Sequence, residues 1–407
     1  MDSQEIHLLQ IDTDLTTQSL LLAAAHHDIA SLKNLLKTAP ANLQDAETGF
    51  TPLHAAIAAF EEENVENHSN GDTTNRRSEE RKKELESAAE TVRLLLQNGA
   101  IWNDLDLNNE TPGCMAKRLG LEEIYGLMVD AGVRAELLLS RLDEYQALGD
   151  NSEDGEKEEE EEEEGAEGSN EVEETARQES MINEPSANND DYLKDTIEIT
   201  NTTILDSAAN GVMMDWETPL MERHAELLCQ QPGLRILNIG HGMGIIDRLF
   251  QSHSPESHHI VEAHPDVLKK MRENGWYDKP GVVVHEGKWQ DILPTLGDIV
   301  FDAIYFDTFA EEYKALREFF SEWVVQFLDS EGKMSFFNGM GADRQICYNV
   351  YTKVVEMDLY EAGLDVEWED VNIPDLKEAG EWNGVRRPYW ALGVYKLPTC
   401  KFIGCIR

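Results

Sequence analysis

Three glycines at alternate positions, Gly240, Gly242 and Gly244, break the apolar run ILNIGHGMGIIDRLF (236–250). A strand ending in such a loop can turn sharply, bring its backbone close to a ligand and present the amide hydrogens of the helix that follows. A dinucleotide loop would need its third glycine at position 245, where Ile245 stands, so a pyrophosphate cradle does not fit. A glycine turn of purely steric origin is the other reading. Glu262 ends HHIVEAHP, 22 residues beyond Gly240, where a carboxylate can accept both hydroxyls of a ribose; the spacing suits an adenosyl nucleoside. A water-exposed acid at a strand end is the alternative. Trp289 and Gln290, in EGKWQDILPTL, follow the next apolar run and could cover an adenine face and contact its amino group. Asp307 closes VFDAIYFDTF. A carboxylate after so apolar a run sits at the mouth of a sheet or suffers desolvation, which points to a substrate role.

Short β-branched runs must position these groups. LRILNIG, HHIVEAH, GVVVHEG, VFDAIYFD and GKMSFFN alternate with helical patterns, as buried parallel strands do, and RPYWALGVYKL reads as a last antiparallel strand. The expectation is a doubly wound α/β domain over 191–407 with ligands at the carboxyl ends of its strands. Ahead of it, EDGEKEEEEEEEGAEGSN cannot bury enough apolar area to offset chain entropy, so 150–190 is expected to be a disordered acidic linker, or a charged lure for a basic partner. Residues 1–149 carry TGFTPLHAAIAAF and VRLLLQNGAIWNDLDLNNETPGCMAKRLG, which resemble ankyrin repeats. Thr51 and Thr111 lie 60 apart, one repeat period plus a charged insertion held within 61–90, and SLLLAAAHHDIASLKNLL aligns as a degenerate cap. About three repeats form one small α-helical solenoid. His54 in that motif reads as a turn brace.

The whole-chain quantities bound the function. At 407 residues two or more domains are expected, and no apolar stretch reaches the ~20 residues of a membrane span. The formal net charge of −46 disfavours binding to nucleic-acid phosphates and favours basic partners. The start of the chain lacks a leader pattern and the five cysteines lack a CxxC pair, so an intracellular, reduced address is expected. His253, His258, His259 and His285 have no ligand-like spacing, and no metal is expected.

With GVMMDWETPLM (211–221) added, the set VMxxWETPxM, GxGMxI, Glu262, WQDxxPTL and YFDTF resembles guanidinoacetate methyltransferase. Together with the ankyrin-like repeats, the chain resembles the fungal type IV, delta-nitrogen protein arginine methyltransferases. The resemblance implies a class I methyltransferase fold with a seven-stranded sheet, and S-adenosylmethionine held by Tyr192, Met213, Met221, Gly240, His241, Gly242, Met243, Gly244, Ile245, Glu262, Ala263, His264, Trp289, Gln290 and Asp307. Met213 and Met221 would otherwise read as core fillers. It departs from the wider class in Asn238, where many methyltransferases place an acid near the methionine ammonium, and in His241, where an aromatic is common. The resemblance also implies methylation of an arginine side chain gripped by Glu217 and Asp307, two carboxylates able to fork onto the cation and take its proton. Without it, Glu217 reads as an acid at a helix N-terminus. Glu311 and Glu312 read as a solvated helix face. A basic, large-subunit ribosomal protein is the implied partner of a monomeric enzyme of cytoplasm and nucleus. The alternatives are a methyltransferase for a small guanidino compound, and a non-catalytic ankyrin adaptor.

Overall fold

The computed structural model describes residues 15–61, 74–150 and 189–404. The chain divides into two compact units, Met1–Glu171 and Val172–Arg407. Most of the expected acidic linker, 151–188, and the stretch 62–73 of the insertion lie outside the described residues. None of the described helices is long and apolar enough to cross a membrane.

The first unit contains α1 (15–25), α2 (Ile29–Leu35), α3 (Pro52–Ala58), α4 (Thr74–Gln97), α5 (Pro112–Arg118) and α6 (Glu122–Asp150). Thr51 and Thr111 cap α3 and α5 with proline in the first turn, the register that the two TP motifs require. The second half of the insertion is not extra loop: residues 74–90 extend α4, whose Ala88, Ala89, Val92 and Leu95 are buried. His54 is wholly buried. Its Nδ1 accepts the Thr51 N–H at 3.2 Å, so the proton sits on Nε2 and is donated to the Glu110 carbonyl at 3.0 Å, tying the start of α3 to the turn before α5. It is a brace, as expected.

The first described element of the second unit is α7 (Asn189–Tyr192). A three-stranded antiparallel sheet follows, β1 (Glu198–Ile199), β2 (Thr203–Leu205) and β3 (Gly211–Met214), then α8 (Thr218–Leu228). The main sheet is built from β4 (Arg235–Ile239), β5 (Ser257–Glu262), β6 (Val282–Glu286), β7 (Phe301–Phe306), β8 (Leu328–Phe336), β9 (Leu364–Asn372) and β10 (Val394–Phe402). Their spatial order is β6-β5-β4-β7-β8-β10-β9; β4 to β8 pair in parallel, and β10 is antiparallel to both its neighbours. The chain runs outward from β4 to β6 and then returns to β7 on the other side of β4, so the switch point lies between the ends of β4 and β7. This is the expected seven-stranded α/β methyltransferase architecture. Helices α9 (Ile245–Ser252), α10 (Pro265–Glu273), α11 (Trp289–Ile292), α12 (Tyr313–Glu318) and α13 (Gln345–Glu361) connect the strands.

The last strand corrects the sequence reading. It starts at Val394, and the Pro388–Leu392 part of RPYWALGVYKL belongs to the β9–β10 connection. Antiparallel neighbours need only a two-residue turn, yet residues 373–393 intervene. They return to the start of β3 through Arg386 N–H to the Ala209 carbonyl at 2.8 Å.

Candidate functional site

The glycine loop leaves β4 with Gly240, Gly242 and Gly244 at φ of 93°, 51° and 69°, a region that side chains other than glycine seldom enter. At Gly240 close packing adds to this: a Cβ there would lie 1.9 Å from the Asp307 carbonyl oxygen, because the ends of β4 and β7 touch at the switch point, and the backbone would have to shift. Gly244 caps α9 from the left-handed region, and Ile245 begins that helix buried.

Glu262 is not the water-exposed acid of the alternative reading. Its carboxylate is buried and accepts four backbone N–H groups: His241 at 2.9 Å and Gly242 at 3.3 Å on one oxygen, Ala263 at 2.8 Å and His264 at 2.7 Å on the other. It fastens the glycine loop to the end of β5. His264 is also buried; its Nδ1 accepts from Asp266 N–H at 3.2 Å, so Nε2 donates to the Tyr192 carbonyl at 3.2 Å.

The His241 side chain points away from the open face of the loop. It is buried and turned under the loop, with Nδ1 2.5 Å from Asp247 Oδ2 and its ring edge-on to Trp276 at 5.0 Å. Only its backbone N–H addresses Glu262. Burial would raise Asp247, but His241 and His258, whose Nε2 is 2.9 Å away, hold it down to about 2. Asn238 gives one N–H to Asp247 Oδ1 at 2.8 Å and the other to the Gly240 carbonyl at 2.8 Å, while its own buried carbonyl oxygen has no partner.

Met213 stands against the loop: its sulfur accepts the Met243 N–H at 3.3 Å, and a Cβ on Gly242 would lie 2.6 Å from that sulfur. Met221 has no exposed surface and its sulfur accepts the Tyr305 hydroxyl at 3.2 Å, so its place is in the packing beneath the site. Beyond β3 the chain makes a 3₁₀ turn, Asp215–Glu217, into α8, and Glu217 reaches back to accept the Met214 N–H at 3.1 Å. It is thus both a helix N-terminal acid and a buried one. Burial raises its carboxyl to about 7 against the opposing bonds from Tyr389 and Met214. Both bonds fall on Oε1, leaving Oε2 for another cation or donor. Asp307 is raised well above the usual carboxylate range by burial and then by the Glu217 charge. It keeps partial exposure, and its carboxylate has no hydrogen-bond partner among the described residues.

Tyr389 escaped the sequence reading. It belongs to the 373–393 connection and donates its hydroxyl to Glu217, while Trp216 and Trp382 flank it: Trp382 lies 5.2 Å from its ring, and Trp216 lies 6.0 Å from both Tyr389 and Trp390. The signal available was an aromatic-rich segment, EWNGVRRPYW, with more rings than a strand would bury.

At the other end of the site, Trp289 is buried edge-on to Phe306 and Phe319, so it is a wall of the core rather than an open adenine cover. Its indole N–H donates to both Glu311 oxygens at 3.0 Å, Gln290 Nε2 donates to Oε1 at 3.0 Å, and the Thr308 hydroxyl donates to Oε2 at 2.5 Å. Glu311 is therefore half-buried and engaged, contrary to the solvated face expected of it; Glu312, exposed at the start of α12, fits that expectation. The Tyr192 ring packs on His264 at 4.8 Å and on Phe309 at 4.9 Å, which joins α7 to this corner.

The family model for guanidinoacetate N-methyltransferase matches residues 191–380. The chain is 54% identical over 421 residues to protein arginine N-methyltransferase 2 of Emericella nidulans, covering 97% of this chain and 98% of that one. It is 46% identical to the protein of that name from Gibberella zeae, with 92% and 90% covered. Among solved structures, precorrin-6y C5,15-methyltransferase from Geobacter metallireducens is 19% identical, covers 50% of this chain and 98% of that chain, and gives a TM-score of 0.35. An identity above one half over 97% of this chain and 98% of that relative places this chain in the protein arginine N-methyltransferase 2 family.

Proposed function

We propose that the chain methylates the delta nitrogen of an arginine residue in a basic protein, a large-subunit ribosomal protein, with Glu217 and Asp307 holding the guanidinium. The coarser activity, S-adenosylmethionine-dependent arginine methylation, belongs to the family. The observation that supports a guanidinium at this place is the pair of crowded carboxylates, one with a free oxygen and one with no hydrogen-bond partner among the described residues, each penalised while no cation is present.

The site suits the donor. S-adenosylmethionine carries N–H groups at its two ends, the methionine ammonium and the adenine amino group, and the site offers two buried carbonyl oxygens without partners, on Asn238 and Gln290. The loop at Gly240 and Gly242 is packed so closely on the Asp307 carbonyl and the Met213 sulfur that neither position admits a side chain, and a loop of this kind at a helix N-terminus presents backbone N–H groups. When bound, the donor supplies a methyl group on a positively charged sulfur. Glu217 and Asp307 orient the guanidinium and polarise it, and a carboxyl raised to about 7 can keep the proton that the nitrogen gives up as its bond to carbon forms. Trp216, Trp382 and Tyr389 keep water from the cation. The spaced glutamate hairpin and Thr-His-Trp turn of terminal-nitrogen arginine methyltransferases are missing from the sequence, which supports an arginine site of another kind.

The matching family model favours a second reading, a small guanidino substrate, over the residues it spans. Incubation with labelled S-adenosylmethionine and ribosomal proteins, followed by hydrolysis and mass-spectrometric placement of the methyl group, separates the two. Delta-monomethylarginine is expected. Terminal-nitrogen methylarginine as the sole product, or turnover of free guanidinoacetate alone, would overturn the proposal.

A further inference from the structure

Gln290 has an amide whose two ends behave differently. Its Nε2 donates to Glu311 Oε1 at 3.0 Å, and its Oε1 is buried without a partner among the described residues. An amide can turn over and present either end, so the sequence alone leaves its sense open. A carboxylate removes that freedom because it only accepts: with Glu311 on one side, the N–H₂ end must face Glu311 and the carbonyl must face away. Glu311 is itself held from three sides. Trp289 Nε1 lies 3.0 Å from each of its oxygens, Gln290 takes Oε1, and the Thr308 hydroxyl takes Oε2 at 2.5 Å. Both oxygens are thus engaged by the protein, which leaves Glu311 no role as a direct ligand. The backbone is arranged for this: Ala310 adopts a φ of 60°, in the left-handed region, immediately before Glu311. Such an arrangement is more than Gln290 needs for packing, and it leaves one buried acceptor oxygen unsatisfied.

We infer that Glu311 is a positioning residue for base recognition: it locks the Gln290 amide so that its carbonyl accepts a hydrogen from the exocyclic amino group of adenine and rejects a base with a carbonyl at that place. The inference rests on the reading that S-adenosylmethionine occupies the site with its base at Gln290. A hypoxanthine base would set its own oxygen against the Gln290 oxygen, with no donor between them. One buried polar group left unpaired in this way weakens binding by about tenfold to a hundredfold.

The test compares S-adenosylhomocysteine with S-inosylhomocysteine by calorimetry on the full chain, so no turnover is required. Wild type is expected to prefer the adenine compound by about tenfold or more. Glu311→Gln offers a donor as well as an acceptor, which frees the Gln290 amide to turn over, and the preference should fall to about twofold or less. Gln290→Leu keeps the bonds of Glu311 to Trp289 and Thr308, and should lose the preference in the same way. Glu312→Gln, at the exposed neighbour, should keep it. A merely structural role for Glu311 would weaken both compounds together and leave their ratio unchanged. Undiminished preference in either folded variant, Glu311→Gln or Gln290→Leu, overturns the inference. A wild type that binds both compounds equally overturns it while leaving the cofactor reading intact, and a wild type that binds neither overturns that reading first.

Discussion

Glu217→Gln should make the protein more stable while abolishing turnover, and the gain should depend on pH. Burial raises the Glu217 carboxyl from 4.5 to about 7. An acid raised on folding keeps its proton in the folded state over a range where the unfolded chain has already lost it. Stability therefore falls as pH rises from about 4.5 to about 7 and stays lowered above that. A rise of that size corresponds to about 3 kcal/mol at pH 8 and less than about 1 kcal/mol near pH 5. The amide that replaces the carboxylate would keep an acceptor for Tyr389 and Met214 without a charge to bury. Urea unfolding of the full chain at the two pH values measures the difference, read by tryptophan fluorescence, since seven of the eight tryptophans lie after residue 189. At pH 8 the midpoint should rise by about 1 M, given a slope of about 2–3 kcal/mol/M for a domain of this size. Equal effects at both pH values, or a loss of stability at pH 8, would refute the claim that an uncompensated carboxylate is buried there.

The other expectations follow from the same geometry. Tyr389→Phe removes a hydrogen bond that favours ionised Glu217, so the Glu217 carboxyl rises further and the acid limb of the pH–rate profile moves to higher pH; a limb that stays in place or moves down contradicts the assignment. Gly240→Ala sets a Cβ against the Asp307 carbonyl and should cost about 1–3 kcal/mol of stability in thermal or urea melts, with loss of S-adenosylhomocysteine binding by calorimetry. Glu262→Gln places N–H₂ against two of the four N–H groups that the carboxylate now accepts; a loss of about 2–4 kcal/mol in urea unfolding is expected, and an unchanged midpoint would show that the loop does not hang on this side chain.

The central parallel strands β4, β5 and β7 were legible because they are largely buried on both faces and read as apolar runs, and the edge strand β6 was legible by its three consecutive valines although Val283 is exposed. The rest of the sheet was less so. β9, LDVEWEDVN, is an edge strand whose outward positions carry Asp365, Glu367, Asp370 and Asn372, and so many acids hide a strand from an apolar pattern. The strands of the antiparallel sheet before α8 have two to four residues, too few for any period. In the site, Glu262 and Asp307 were legible because a carboxylate at the end of an apolar strand has few places to go. Tyr389 was hidden because its partner lies 172 residues away, across a connection whose alternating aromatics imitate a strand. Glu311 was misread because it precedes a helix and shares the composition of one; nothing local tells an acid that faces water from one turned onto Trp289.

The two departures from the wider class, Asn238 and His241, resolve into a single rearrangement. Where an acid commonly ends the first strand, this chain holds its acid nine residues later, as Asp247 on α9, joined to Asn238 by a 2.8 Å hydrogen bond. An acid at 238 would face Asp247 with both side chains withdrawn from solvent, and two such carboxylates repel. The amide at 238 is therefore required by Asp247: it gives N–H to the acid and turns its own carbonyl away, unpartnered. Asp247 in turn needs support to stay ionised with no exposure, and an aromatic hydrocarbon at 241 has no polar atom to supply it. A histidine does so from 2.5 Å, while its ring still packs on Trp276 as an aromatic would. Moving the charge from strand to helix thus dictates both substitutions, and it keeps a negative charge behind the glycine loop, on the side where the positive end of the methyl donor is expected to lie.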